Sequence, residues 1–269
     1  MRPKGTAVGR VVITGASGQV GTLLGGKLGA AGIEVTPLGR GDDWAAGIAG
    51  ADAVAALAGT LQPGRGDDYR SANVETATRT AEAARAGGVG RIAFLSYVGA
   101  ATDSPNDYLR AKAEAEALLV DSGVPTTIFR CLHIFGPPER PGPTAGAFIA
   151  TGRRAVIVPG SGRQRIAPLY IDDIVTALTT ALTRPDAPTG VFNMGGPEEM
   201  SMDEFVRVVN GGAARIRHLP APLARLSARL SRELTPALMD LLLRDNVVAT
   251  DPVEIGTRFG FTPTPLSDV

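Results

Sequence analysis

VVITGASGQVG, residues 11–21, decides how this chain is read. Val11-Val12-Ile13 is a continuous apolar run, the pattern of a strand buried on both faces. The segment LLGGKLGAAG that follows reads as a short helix over 23–31, ended by Gly32. Between them stand Gly15, Gly18 and Gly21, in the spacing G-x-x-G-x-x-G. Strand, glycine turn and helix are the context in which such a turn holds the pyrophosphate of a dinucleotide. The first glycine allows the tight turn, the second lets the backbone approach the phosphates, and the third lets the helix pack close to the strand. The helix N-terminus offers free N–H groups. The competing reading is a purely structural turn in a chain of 34 glycines.

Outward from this stretch, strand-like and helical periods alternate. Apolar runs at 34–38, 53–57, 92–96 and 126–129 read as strands, and 73–86 and 107–121 as helices. Such alternation predicts an α/β fold, a doubly wound parallel sheet, with a small C-terminal substrate lobe. Between the second apolar run and the third the stretch RGDDWAAGIAG, residues 40–50, is all that is available, so that crossover is expected to hold at most a turn of helix and no strand. After Gly136 comes the proline-rich PPERPGP. Beyond it the pattern suggests a helix over 145–152, a strand over 156–158, a helix over 170–182, a strand over 191–194, and helices over 201–210 and 222–246. The expected organisation is a dinucleotide-binding core over 1–136. Residues 137–269 form a mixed segment, in which 166–194 completes the core and the rest forms the lobe that roofs the crevice.

The bulk composition narrows the function. The 269 residues carry no net charge, with 44% hydrophobic and 20% charged. No basic run suggests nucleic acid, and no apolar stretch is long enough for a bilayer or a signal peptide, so a cytoplasmic protein is expected. A single cysteine, Cys131, excludes an internal disulfide. Two histidines and one cysteine, widely separated, give no metal-ligand spacing. The expected partner is a small-molecule substrate, with neither nucleic acid nor membrane, in a monomer or homodimer. The segment LARLSARLSREL has leucines at helical spacing with arginines between. It could lid the pocket or pack on a second subunit, and a membrane-surface role is the weaker alternative.

Dinucleotide sites usually carry an acid at the end of the second strand to grip the ribose 2′-OH. Here Pro37-Leu38-Gly39-Arg40 stands there, and Glu34 lies at the strand's wrong end. Arginine suits a 2′-phosphate, so NADP is the expected cofactor and NAD the alternative. Arg40 as an ordinary surface arginine competes with this, and Asp42 or Asp43 could serve the ribose instead. Trp44 either flanks the adenine or belongs to the core.

In SPNDYLRAKAEAEALL, Tyr108 and Lys112 stand four apart and face the same way on a helix. A tyrosine is a poor proton carrier at neutral pH, and an ammonium nearby stabilises its phenolate. The pair is a workable acid–base device for carbonyl chemistry, although such spacing also arises by chance.

TGASGQVG, LAG at 57–59, Asn73, FLSYVGA at 94–100, YLRAK at 108–112 and FRCLHIFGP at 129–137 follow one another in order. In that order they resemble the short-chain dehydrogenase/reductase superfamily. IAPLYIDDIVTAL and VFNMGGPEEMSMDEF resemble its extended and atypical branches, which include NAD-dependent epimerase/dehydratases and NAD(P)H-binding proteins akin to the complex I accessory subunit. The resemblance covers about residues 10–210. It implies that Thr14, Gly15, Gly18, Gln19, Val20 and Gly21 line the pyrophosphate and that Arg40 meets the 2′-phosphate. Leu57, Ala58 and Gly59 would pass under the adenosine ribose. Tyr108 would be the catalytic acid–base, Lys112 its partner and a ribose ligand, and Cys131–Ile134 would lie against the nicotinamide. The family's catalytic hydroxyl falls just past the strand before the tyrosine. Ser96 is the candidate, although Tyr97 and Val98 stand where the hydroxyl is expected, and Thr102 or Ser104 could substitute. The chain is short for a sugar-nucleotide epimerase.

Other residues carry weaker expectations. His133 faces the substrate or is a wall residue, and His218 is a surface residue. One of Asp172 and Asp173 caps the helix that they open. The charges of 110–116 form a solvated face, and Arg130 is structural or binds substrate. The function expected is an NADP-dependent oxidoreductase moving hydride to a carbonyl or similar polarised double bond. The alternatives are an epimerase or dehydratase that retains NAD(P), and a non-catalytic NADP(H)-sensing or scaffold protein.

Overall fold

A computed structural model describes residues 8–64, 67–136, 146, 148–150, 154–231 and 234–269. Its centre is a six-stranded sheet built from β1 (Arg10–Thr14), β2 (Glu34–Leu38), β3 (Ala53–Ala56), β4 (Arg91–Tyr97), β5 (Thr126–Cys131) and β10 (Gly190–Met194). The spatial order is β10-β5-β4-β3-β1-β2, and every pairing is parallel. β1 therefore pairs on one side with β2 and on the other with β3. The chain reverses its direction of travel there, and the ends of β1 and β3 open the crevice in which such sheets bind ligands.

The sheet is covered on both faces, which explains why its strands read as unbroken apolar runs. One face buries Val11, Ile13, Phe129 and Cys131 against α1 (Gln19–Ala30), α5 (Ile171–Thr183) and α9 (Pro252–Phe259). The other buries Val12, Val54, Ile92 and Ile128 beneath α2 (Trp44–Ile48), α3 (Thr76–Ala86) and α4 (Asp107–Asp121). The crossover from β2 to β3 is indeed trimmed, to the single short helix α2. The helix expected over 73–86 begins as a π-helical turn, Arg70–Glu75, before α3.

A second core lies beyond β5. It packs Phe135 from β6 (Ile134–Phe135) and Val156 and Val158 from β7 (Val156–Pro159). Met202, Phe205 and Val206 join them from α6 (Met202–Val209), with Leu238 and Leu242 from α8 (Pro236–Leu242). β7 pairs with β12 (Ile216–Leu219), β6 with β9 (Leu169–Tyr170), and β8 (Arg165–Ile166) with β11 (Met200–Ser201). The start of α6 carries a full capping box between Ser201 and Glu204.

Several expectations need correction. The helix expected over 222–246 is two helices, α7 (Ala221–Leu230) and α8. Ser231 leaves the helix in extended backbone, and Thr235 caps α8 by accepting from the Leu238 amide. The chain after α8 bends back instead of continuing as helix, and Asn246 bridges to Ile166. α7 turns its alanines inward, with Ala224 and Ala228 buried, and leaves Leu223, Leu226 and Leu230 exposed. Neither Asp172 nor Asp173 provides the cap of α5, whose N-cap is Tyr170 with no side-chain cap bond. Asp173 is buried and holds the C-terminal tail, accepting from the Thr264 amide and hydroxyl at 2.9 and 2.8 Å. The helix expected over 145–152 and the PPERPGP loop lie for the most part outside the described residues. Among the described residues no helix is long and apolar enough to cross a membrane.

Candidate active site

The glycine loop is built for close approach. Gly15 has φ +73°, and a Cβ there would sit 2.8 Å from the backbone of Leu57 and Ala58. A Cβ on Gly21 would lie 2.5 Å from the Gly15 carbonyl oxygen, and one on Gly18 3.2 Å from the same atom. The loop, the start of α1 and the segment after β3 are thus in backbone contact. Thr14 stitches them: its carbonyl accepts from the Leu57 amide at 3.2 Å, and its hydroxyl accepts from the Ala58 amide at 3.3 Å. Gly18 caps α1 without a side-chain hydrogen bond, and the first turn carries no acidic residue. An anion placed at this N-terminus would meet the positive end of the helix dipole. A pyrophosphate fits such a cradle.

At the end of β2 the turn Gly39–Asp43 is tied down. Trp44 is 3% exposed and donates its indole N–H to the Gly39 carbonyl at 2.7 Å, so it is a core residue. The Arg79 guanidinium lies 4.2 Å from the Trp44 ring centroid and donates to the Arg40 and Asp42 carbonyls. Asp42 accepts from the Gly39 amide, and Asp43 caps α2. The Arg40 side chain reaches outward and pairs with Asp67 at 2.5 Å. Arg79 and Asp67 escaped the sequence reading because their partners lie 27 to 39 residues away.

Asn106 caps α4, accepting from the amides of Tyr108 and Leu109. Tyr108 and Lys112 follow on one face of the helix and are both buried. Lys112 donates to the Leu95 carbonyl at 2.6 Å, and its ammonium lies 4.1 Å from the Phe94 ring centroid. Burial lowers its pKa to about 8, partly opposed by Glu116. A Cβ on Gly59 would stand 2.7 Å from Asn73 Oδ1 and 3.7 Å from Lys112 Nζ. Asn73 Oδ1 is buried without a hydrogen-bond partner among the described residues. An orphaned acceptor and a desolvated ammonium thus face the same glycine, a pairing suited to sugar hydroxyls.

Tyr108 enters a cluster that local sequence did not signal. Its ring packs against Tyr69 and Tyr97, with centroids 5.8 and 5.7 Å away, and Ala237 and Leu241 of α8 belong to the same cluster. Burial pushes its phenol well up, and Tyr97 and Tyr69 add to this. The expected lowering by Lys112 is not what governs Tyr108 here, because the lysine is turned toward Leu95. The Tyr69 hydroxyl meets Thr235 Oγ1 at 2.7 Å. The Tyr97 hydroxyl lies 3.4 Å from Asn246 Oδ1 and from both imidazole nitrogens of His133. Burial brings His133 down to about 4, with Arg244 adding to the effect, so the imidazole is neutral.

Ser96 donates to Glu116 Oε1 at 2.5 Å, and Arg130 binds the same carboxylate through Nε at 2.9 Å and Nη2 at 2.5 Å. Glu116 is therefore a buried ion-pair residue, which corrects the expectation that the charges of 110–116 are all solvated. Arg130 is its structural partner. Cys131 ends β5 inside the apolar core, and burial raises its thiol pKa. Ile134 starts β6, half-buried beside His133. His218 is surface-exposed and pairs with Asp203 at 2.9 Å.

Comparison with known proteins gives these residues a context. A family model described as the NAD dependent epimerase/dehydratase family matches residues 11–195. The chain is 28% identical over 186 residues to the Arabidopsis thaliana mitochondrial NADH dehydrogenase (ubiquinone) 1 alpha subcomplex subunit 9, covering 67% of this chain and 46% of that protein. It is 31% identical over 182 residues to a Pseudomonas aeruginosa UDP-2-acetamido-2,6-beta-L-arabino-hexul-4-ose reductase, covering 62% of this chain and 47% of that one. The chain thus spans about half the length of these curated relatives. Among solved structures, MoeE5 in complex with UDP-glucuronic acid and NAD superposes with a TM-score of 0.75 at 21% identity, over 97% of this chain and 96% of that one. That likeness establishes a shared fold.

Proposed function

This chain belongs to the NAD dependent epimerase/dehydratase family, and on that premise we propose that it is an NADP-dependent oxidoreductase acting on a carbonyl or similar polarised double bond of a small molecule. The observation that carries the reading is the glycine cradle at the uncapped start of α1. Thr14, Gly15, Gly18, Gln19, Val20 and Gly21 would hold the pyrophosphate, and Arg40 the 2′-phosphate. Leu57, Ala58 and Gly59 would pass beneath the adenosine ribose, and Lys112 would hold ribose hydroxyls. Cys131 and Ile134 would border the nicotinamide. When bound, the nicotinamide supplies or accepts the hydride.

Tyr108 is the residue that would give its proton to the substrate oxygen. The phenol is protonated at neutral pH, as a donor in the reducing direction must be, and the burial that raises its pKa makes it a weaker acid that exposure to substrate and cofactor would have to offset. Ser96 remains the family-implied hydroxyl, but its proton is given to Glu116. Tyr97, whose ring packs on Tyr108, supports a role for its own hydroxyl in steadying the substrate oxygen.

One observation favours a second reading. Ala237 and Leu241 of α8 pack into the cluster that buries Tyr108, as would suit a protein that binds the dinucleotide without turning it over. NADPH consumption with a panel of carbonyl compounds and nucleotide sugars separates the two. Under the enzyme reading, Tyr108→Phe lowers turnover about 10²- to 10⁴-fold and leaves cofactor affinity intact. Undiminished turnover in that variant removes Tyr108 from the mechanism. Tight NADPH binding with neither consumption of the cofactor nor conversion of any compound, nucleotide sugars included, favours the second reading.

A further inference from the structure

We propose that Asp67 is a specificity-determining residue for the dinucleotide, its carboxylate holding Arg40 in the place that a 2′-phosphate would take. The inference rests on the dinucleotide reading above and concerns which dinucleotide the site prefers. Asp67 lies in the connection between β3 and the π-helical turn, and its Oδ2 meets Arg40 Nη1 at 2.5 Å. The other two carboxylates at this turn have backbone duties. Asp42 Oδ2 accepts from the Gly39 amide at 2.7 Å, and Asp43 Oδ1 accepts from the Ala46 amide at 3.1 Å. Asp67 is thus the acid that reaches the arginine side chain.

The backbone at Arg40 is fixed by Arg79, while its guanidinium meets solvent and the Asp67 carboxylate. Arg79 donates to the carbonyls of Arg40 and Asp42 at 3.1 and 3.0 Å, and it stacks on the buried Trp44. The Arg40 side chain itself is 68% exposed. An ion pair this exposed is weak, so a phosphate dianion can displace the carboxylate and take bidentate hydrogen bonds from the fork. The displaced carboxylate then lies close to the phosphate and repels it. With a 2′-hydroxyl in place of the phosphate, the same carboxylate is an acceptor, the role that an acid at the end of β2 plays in other dinucleotide sites. Asp67 therefore acts in opposite directions on the two cofactors: it weakens NADP(H) and supports NAD(H).

The test is a titration of wild type, Asp67→Asn and Asp67→Glu with NADPH and with NADH, followed by calorimetry and by the emission of Trp44. Asp67→Asn is expected to bind NADPH about two- to fivefold more tightly and NADH more weakly, and Asp67→Glu to return toward the wild-type ratio. Most of the gain disappears in an Arg40→Gln background, because the competition needs the guanidinium. Equal shifts for both cofactors, or no shift in Asp67→Asn relative to a wild type that does bind them, overturn the role of Asp67 alone. Binding of neither cofactor by any of the three proteins overturns the dinucleotide reading and this inference with it.

Discussion

Gly21 and Gly26 lie five residues apart in α1, and alanine at the two positions has opposite consequences. A Cβ on Gly26 meets nothing within 4 Å. Gly26→Ala therefore gains the helix preference of alanine, about 0.5–1 kcal/mol. A Cβ on Gly21 meets the Gly15 carbonyl oxygen at 2.5 Å and Ala16 Cα at 2.8 Å. Both are backbone atoms, so no rotamer relieves the clash, and α1 must back away from the loop by roughly half an ångström or more. Overpacking of this kind costs about 1–3 kcal/mol. Less the helix gain, the net loss is about 0–2.5 kcal/mol. The shift also disturbs the N–H groups at the start of α1. Hydrogen bonds to a charged group contribute about 1.5–3 kcal/mol each, so misaligning one weakens dinucleotide binding about 10- to 100-fold. Urea midpoints and calorimetric NADPH titrations of both variants measure the contrast. A Gly21→Ala protein as stable as Gly26→Ala, with wild-type NADPH affinity, would refute the close-approach argument.

Three further outcomes follow from the buried polar groups. Glu116→Gln leaves Arg130 without its counter-ion and is expected to cost about 1–3 kcal/mol, below the range for a sealed pair because Arg130 is 26% exposed; a urea midpoint equal to wild type contradicts this. Lys112 falls from 10.5 to about 8 on folding, so between those values the unfolded chain binds the extra proton and stability rises with pH, by up to about 3 kcal/mol. Lys112→Met should abolish that rise and be more stable at neutral pH, and a persisting rise in denaturation curves assigns it elsewhere. His133 falls from 6.5 to about 4. Its contribution is present above the ordinary histidine value and lost as pH falls through the folded one, worth roughly 2 kcal/mol for a ring not fully sealed. His133→Asn should flatten acid unfolding in that window, and an unchanged profile removes His133 as its cause.

The parts of this fold that were legible in the sequence are those with local causes. Val11-Val12-Ile13 before three spaced glycines announced a strand, a turn and a helix, and the eleven residues RGDDWAAGIAG were too few for a further strand. The parts that were not legible depend on side chains that meet across long stretches of chain. Tyr69 and Thr235 are 166 residues apart, and Tyr97 and Asn246 are 149 apart. Nothing near either member announces the other. Glu116 looked solvated because its neighbours Arg110 and Glu114 face outward, whereas its own position turns it beneath the sheet to Arg130. The break in the expected helix over 222–246 was hidden because leucines at helical spacing continue on both sides of it, and α7 buries its alanines instead. Tyr108 and Lys112 share a helix face as their spacing requires, yet tertiary packing sends one to the aromatic cluster and the other to Leu95.

In the proposed function, the loop from Gly15 to Gly21 binds a dinucleotide whose adenosine end reaches Arg40. Trp44 is the single tryptophan, and it touches both Gly39 and Arg79, so it reports on that end of the site. Titration of the protein with NADPH and with NADH, following Trp44 emission and heat together, tests this binding most directly. Saturable binding at one site, a change in Trp44 emission, and tighter binding of NADPH than of NADH are expected. No heat and no emission change with either cofactor would contradict the proposed function.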